Sequence, residues 1–275
     1  MRPADKLCKI PSWRCSVNKK AHDILEKIAS GKEFKKYRKE WSETETPFSI
    51  TSASVFFIHV MLEQGQPTEG RAPAAAKHLV ANHFPRNTIW DEIAEKHLGS
   101  LRSICKKGFD SSNNATSYSR GYATRFISAT FPDDLKKNAE IIVNKYDSDP
   151  RNIWKVTPAE CELIYTRFKE FYSIGYGLAR MAQFLLVRDH GVAGGMRESK
   201  GCLKVKPDVH VSRVLYRMGL AKSTEEADII QCVDEAEVSS QADLDWVLVR
   251  VGRDFCKKRQ CDKCCLAPYC EKRID

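Results

Sequence analysis

Apolar residues recur three and four positions apart through most of the chain, separated by Gly, Pro and polar breaks and without sustained alternation. That pattern predicts helix after helix, an all-α fold. The first strongly apolar helix is expected near Ala53 to Glu63, and Ser42-Glu43-Thr44-Glu45-Thr46-Pro47 before it reads as a domain boundary. A second polar break is expected at Asp110 to Asn114. Thr157-Pro158-Ala159-Glu160 combines an N-cap Thr, a Pro at the first helical position and a Glu placed to close a capping box, so a helix should run from there to about Tyr172. Gly175-Tyr176-Gly177 then breaks it, and helical periodicity resumes from Leu178 to His190 before Gly191 ends it. Gly191 to Lys206 is too long for an ordinary helix connection and reads as a functional loop. Asp208 is suited to cap a helix whose Val211, Val214, Leu215 and Met218 form one apolar face, and a last helix is expected over Ser240 to Cys256.

Composition narrows the class. The chain has 275 residues, enough for about two lobes at roughly 150 residues each, and its 42% hydrophobic content can fill a core. The longest strongly apolar run, Val55 to Leu62, falls well short of the ~20 residues that cross a bilayer. Met1-Arg2-Pro3-Ala4-Asp5-Lys6 lacks an apolar signal core, so the expected place is inside the cell, in the cytoplasm or nucleoid, or the nucleus of a eukaryote. A net charge of +9 makes a polyanion a candidate partner, although a solvated cationic face has the same arithmetic.

Cysteine usage is more specific. Five of the eleven (Cys256, Cys261, Cys264, Cys265 and Cys270) lie in the last twenty residues, where a disulfide scaffold would spread them through a short secreted chain. Cys256, Cys261, Cys264 and Cys270, spaced x4, x2 and x5, offer four thiolates for a [4Fe-4S] cube or a tetrahedral zinc ion. Zinc sites usually pair two short hooks across a longer spacer, and this tail has one short hook between longer arms, which favours the cluster. The hairpin at Gly175 and Gly177 can point backbone amides at a phosphate, or can be a plain helical corner. Tyr118, Arg120, Tyr122 and Arg125 interleave aromatic and basic types, a pattern that a helix with one wet face also gives.

In this order, the three constellations resemble the helix-hairpin-helix DNA glycosylase superfamily, in its iron-sulfur branch typified by endonuclease III and the adenine glycosylases. That superfamily carries a Leu-Pro-Gly-x-Gly hairpin, an Asp in a Val-Asp-x-His-Val-x-Arg-Val context, a helix ending Leu-x-x-x-Gly-Arg-x-x-Cys, and a Cys-x6-Cys-x2-Cys-x5-Cys loop. The matching residues here are Ile174 to Gly177, then Asp208 to Val214, then Leu248 to Cys256 running into the thiol cluster. Weaker echoes are Met61-Leu62-Glu63-Gln64, like the first barrel helix, and Gly121-Tyr122 with Arg125, like a helix start in mid-barrel.

The resemblance implies a two-lobed fold: a six-helix barrel over residues 47–190 including the hairpin, and a cluster domain over 191–275 with the inserted loop and the Asp helix, against which residues 1–46 would pack. It implies a monomeric base-excision-repair enzyme that hydrolyses the N-glycosidic bond of a damaged or modified base flipped out of double-stranded DNA. Asp208 would be catalytic. Gln64 would fill the space left by the base, and Gly175 and Gly177 would hold a phosphate. Lys257, Lys258, Arg259 and Lys263 would meet the DNA backbone from a loop folded around a structural [4Fe-4S] cluster, with zinc as the alternative. His210 is expected to make a structural hydrogen bond near its helix start.

The departures carry information too. The first cluster spacing is two residues short and Cys265 is an additional thiol. Where endonuclease III has a Schiff-base Lys after the hairpin, Ala179 stands here, with Arg180 next to it. Neither supplies an amine, which implies a monofunctional glycosylase. The alternatives are a glycosylase with lyase activity using Lys200, Lys204 or Lys206 from the insertion, a non-catalytic iron-sulfur DNA-binding protein, and a zinc-stabilised helical adaptor. The insertion before Asp208 is expected to shape specificity, and nothing in the sequence names the base.

Overall fold

The computed structural model describes residues 12–37, 47–65, 71–84, 88–111 and 126–272. Tyr118, Arg120, Gly121, Tyr122, Arg125 and the break at residues 112–114 lie outside them, as do residues 42–46. The described residues contain helices and no strand. The α-helices are α1 (Ser12–Ser30), α2 (Ile50–Leu62), α3 (Arg71–His83), α4 (Ile89–Glu95), α5 (Leu98–Ser111), α6 (Phe131–Tyr146), α7 (Glu162–Phe168), α8 (Tyr176–Phe184), α9 (Gly195–Ser199), α10 (Val209–Arg217), α11 (Glu226–Glu235) and α12 (Gln241–Val251). None is long and apolar enough to cross a membrane. Asp110 and Ser111, expected in a polar break, continue α5.

The chain forms two compact units, one of Glu40–Leu203 and one of Met1–Lys39 with Lys204–Asp275. The division falls between Leu203 and Lys204. Residues 191–203 stay with the first unit because Val192, Ser199 and Leu203 are buried. They form short helical turns, and Cys161 and Cys202 are joined by a disulfide with Cα atoms 6.1 Å apart, within ordinary reach. Nothing in the spacing of the scattered cysteines signalled that bridge.

The core of the first unit is aromatic. Ser49 opens α2 with a capping box, and the helix buries Phe56, Phe57, Met61 and Leu62. Phe57 packs edge-on to Trp90 and stacks on Phe168, while Trp90 donates to Ser54 Oγ at 2.9 Å. The Thr157–Glu160 capping box is present, but it opens a single 3-10 turn, and α7 ends at Phe168 instead of Tyr172. Fully buried Asn138 on α6 explains the early stop. Its Oδ1 accepts the Tyr172 N–H at 2.8 Å and its Nδ2 donates to the Tyr172 carbonyl at 3.0 Å, so neither group is free to continue the helix. Ser173 follows in a left-handed conformation with φ 62°, and its hydroxyl bonds Asp134.

The second unit is built from both arms of the chain. Leu25 and Ile28 of α1 pack with Val211, Val214 and Leu215 of α10 and with Leu244, Val247, Leu248 and Val251 of α12, and Leu266 of the tail closes the same core. Ser240 caps α12 through the Asp243 N–H, and a π-turn over Gly252–Cys256 delivers the chain into the cysteine loop.

Candidate functional site

Asp208 sits where the sequence placed it, at the N-cap of α10. Its Oδ1 accepts the N–H groups of His210 and Val211 at 2.8 and 2.9 Å, satisfying two of the helix's unpaired donors. Its Oδ2 lies 3.2 Å from Lys206 Nζ, and both side chains are about three-quarters buried, at 24% and 22% exposure. Asp208 lines a groove of about 710 Å³ with Ser212, Arg213, Tyr216 and Lys222, and Val209 beside it is 61% exposed. Lys206 is fixed through its backbone, its N–H donating to Oδ1 of buried Asp245 at 2.8 Å and its carbonyl accepting the Asp208 N–H at 2.8 Å.

The Nδ1 of His210 is buried with no hydrogen-bond partner among the described residues, so the structural bond expected of it is absent at that atom. Its backbone is what the fold uses. A Cβ at Gly252 would fall 2.6 Å from the His210 carbonyl oxygen, so the end of α12 comes this close to the start of α10 only because position 252 has no side chain.

Burial holds the imidazoles of His210, His190 and His83 below the usual histidine range, with Arg213, Lys257 and Arg253 adding to the effect at His210 and Asp208 opposing it. These groups stay neutral in the fold and take up protons more readily when it opens. Stability is therefore complete above the unfolded-state value of about 6.5 and falls as pH drops through it toward the lower folded-state values. Thermal melts should show Tm falling between about pH 7 and pH 5, and His190→Gln should flatten that slope; a level Tm across the window would contradict the assignment.

At the hairpin, Gly175 is the N-cap of α8 and Gly177 lies in its first turn, so the helix starts two residues before the expected Leu178. Neither glycine has a positive φ, and no atom lies within 4 Å of where a Cβ would be at either one. The protein's own packing does not require glycine here, and the open space would admit a close external backbone contact. Ala179 is fully buried, and Arg180, 6% exposed, is tied to Glu162 by contacts of 2.6 and 2.7 Å and lies 3.8 Å over the Tyr165 ring. Gln64 lies in a 3-10 turn after α2, half-buried, with Oε1 buried and without a partner among the described residues.

The four tail cysteines do come together. Cys256, Cys261, Cys264 and Cys270 line one cavity of about 240 Å³ with Arg217 and Arg259, while Cys265 sits beside Cys264 and hydrogen-bonds it. Burial raises the Cys256 thiol to about 11 and also raises Cys270, and the hydrogen bond shared with Cys265, followed by burial, raises Cys264. The Ala267 N–H donates to the Cys264 carbonyl at 3.1 Å, and the Lys272 N–H reaches Cys270 Sγ at 3.3 Å, the acceptor geometry that a thiolate uses. Among the described residues, no three His, Cys, Asp or Glu side chains converge as a single-ion site. Four thiols lining one cavity make a donor set of the kind that holds either a [4Fe-4S] cluster or a zinc ion. Lys257, Lys258, Arg259 and Lys263 are exposed along this loop.

No protein-family model matches the sequence, and no curated protein matches it. Among solved structures, the chain is similar to a non-covalent endonuclease III–DNA complex, with a TM-score of 0.53 and 15% sequence identity over 93% of this chain and 95% of that one. The chain therefore shares the all-α fold of that endonuclease III structure.

Proposed function

We propose that the protein is a monofunctional DNA glycosylase that hydrolyses the N-glycosidic bond of a damaged or modified base. The observation that carries this reading is Asp208: in a fold shared with endonuclease III, its carboxylate is held by two backbone amides at a helix start, and the residue lines a groove. A fixed carboxylate can stabilise the cationic sugar that forms as the base leaves and can take a proton from the attacking water. The buried Ala179 and the engaged Arg180 leave no amine at the hairpin for a Schiff base, which supports hydrolysis without strand cleavage. Double-stranded DNA is the partner in this reading, with Gly175 and Gly177 facing a phosphate, Gln64 occupying the place of the extruded base, and the exposed Lys257, Lys258, Arg259 and Lys263 meeting the backbone.

Cys256, Cys261, Cys264 and Cys270 would hold a [4Fe-4S] cluster. When bound, that group supplies structural cross-linking of the tail. Its cysteines must lose the protons that burial now favours, so binding would be tighter at higher pH.

The test is mass spectrometry of free bases released from a mixed panel of damaged and modified duplexes, together with the visible spectrum of anaerobically purified protein. Release of a defined base supports the activity, and broad absorbance near ~400 nm supports the cluster. DNA binding without release of any base would place the chain with non-catalytic readers of modified DNA.

A further inference from the structure

Hydrolysis of a glycosidic bond has a proton balance that Asp208 alone does not close. The C1′–N bond breaks with its electron pair leaving on the base, and the water oxygen bonds to C1′. One water proton stays on the new hydroxyl, and the other must end on the base nitrogen. A carboxylate can take that proton from water, but a second group has to give one to the base as it leaves, because a neutral base departs poorly as an anion.

We propose that Lys206 is that donor, a second catalytic residue paired with Asp208, resting on the glycosylase reading above. Asp208 Oδ1 is committed to the His210 and Val211 amides, so Oδ2 is the oxygen that receives the water proton. Lys206 Nζ is 3.2 Å from that same oxygen. The ammonium gives a proton to the departing base nitrogen, Asp208 Oδ2 takes one from water, and that proton passes across the contact to restore both groups. No external acid, base or cofactor enters the cycle. The placement is built in: Gln241 Oε1 accepts the Val205 N–H at 3.0 Å and Asp245 Oδ1 accepts the Lys206 N–H, so α12 fixes the backbone from which the amine reaches Asp208. Of the other insertion lysines considered from the sequence, Lys204 is turned to Asp234 at 3.2 Å.

The experiment measures single-turnover release of neutral bases (uracil, hypoxanthine and 8-oxoguanine) and of an already cationic base, N7-methylguanine, which leaves as a neutral molecule and needs no proton. The proteins are wild type, Lys206→Met, Lys206→Arg and Asp208→Asn. Both Lys206 variants should slow release of whichever neutral base the wild type accepts by about a hundredfold or more, since guanidinium keeps the charge without yielding its proton, and should leave N7-methylguanine within about threefold. Asp208→Asn should slow both kinds. Wild-type rates in Lys206→Arg, equal slowing of neutral and cationic bases in Lys206→Met, or a wild type that releases only the cationic base would each overturn the donor role while leaving the glycosylase reading in place. A borohydride-trapped adduct that disappears in Lys206→Met would make the amine a nucleophile and overturn it as well. No release of any base by the wild type would overturn both.

Discussion

Asp208→Asn should abolish most base release, by about a thousandfold, while leaving the fold intact. The two effects separate because Asp208 has two jobs on two oxygens. Asn is as good an N-cap as Asp, so its carbonyl oxygen can still accept the His210 and Val211 amides, and α10 keeps its start. What disappears is the negative charge at Oδ2, which faces Lys206. Asp208→Ala would be a poorer test, since losing the cap costs about 1 kcal/mol and mixes instability with chemistry. Thermal melts alongside base release decide the matter: unchanged Tm with lost release is the expected pair, and wild-type release by Asp208→Asn would remove Asp208 from the mechanism.

Gly252→Ala should destabilise the second unit by about 1–3 kcal/mol, although intrinsic preference argues the other way. Alanine is favoured over glycine inside a helix by about 1 kcal/mol, and position 252 opens a helical turn. The new methyl, however, would lie 2.6 Å from the His210 carbonyl oxygen and 2.9 Å from its carbonyl carbon, both backbone atoms of α10 that can move only with the helix. The clash outweighs the propensity gain. Denaturant unfolding should show a lower midpoint, and because His210 is one of the two amides bound to Asp208, base release should fall as well. A stabilised Gly252→Ala protein would mean that α10 and α12 slide apart at little cost.

The parts of the fold that the sequence disclosed are those written in local chemistry. Ser240 and Asp208 cap their helices, Thr157 and Glu160 close their box, and Gly191 ends its segment with φ 69°. The four cysteines line one cavity for the same reason, since three of them sit within ten residues and the fourth ends the preceding helical segment. What stayed hidden depends on residues distant in sequence. Asn138 stops α7 from 34 positions away, and nothing about an Asn in an amphipathic helix marks it as the clamp on Tyr172. The Cys161–Cys202 bridge and the approach of Gly252 to His210 are likewise tertiary. Lys206 is a different case: it was visible two residues from Asp208, but only the pinned backbone shows that its amine reaches the second carboxylate oxygen.

In sequence, the second unit takes α1 from before Glu40 and everything from Lys204 onward from after Leu203. During synthesis, Glu40 to Leu203 is a continuous stretch that can begin to collapse as it leaves the ribosome, whereas α1 must wait, with Leu25 and Ile28 uncovered, until α10 and α12 have been made. The nascent chain thus carries Leu25 and Ile28 without their partners through most of translation. The unit bearing Asp208 is also the last to become complete, so no partly made chain can present that carboxylate in its finished setting.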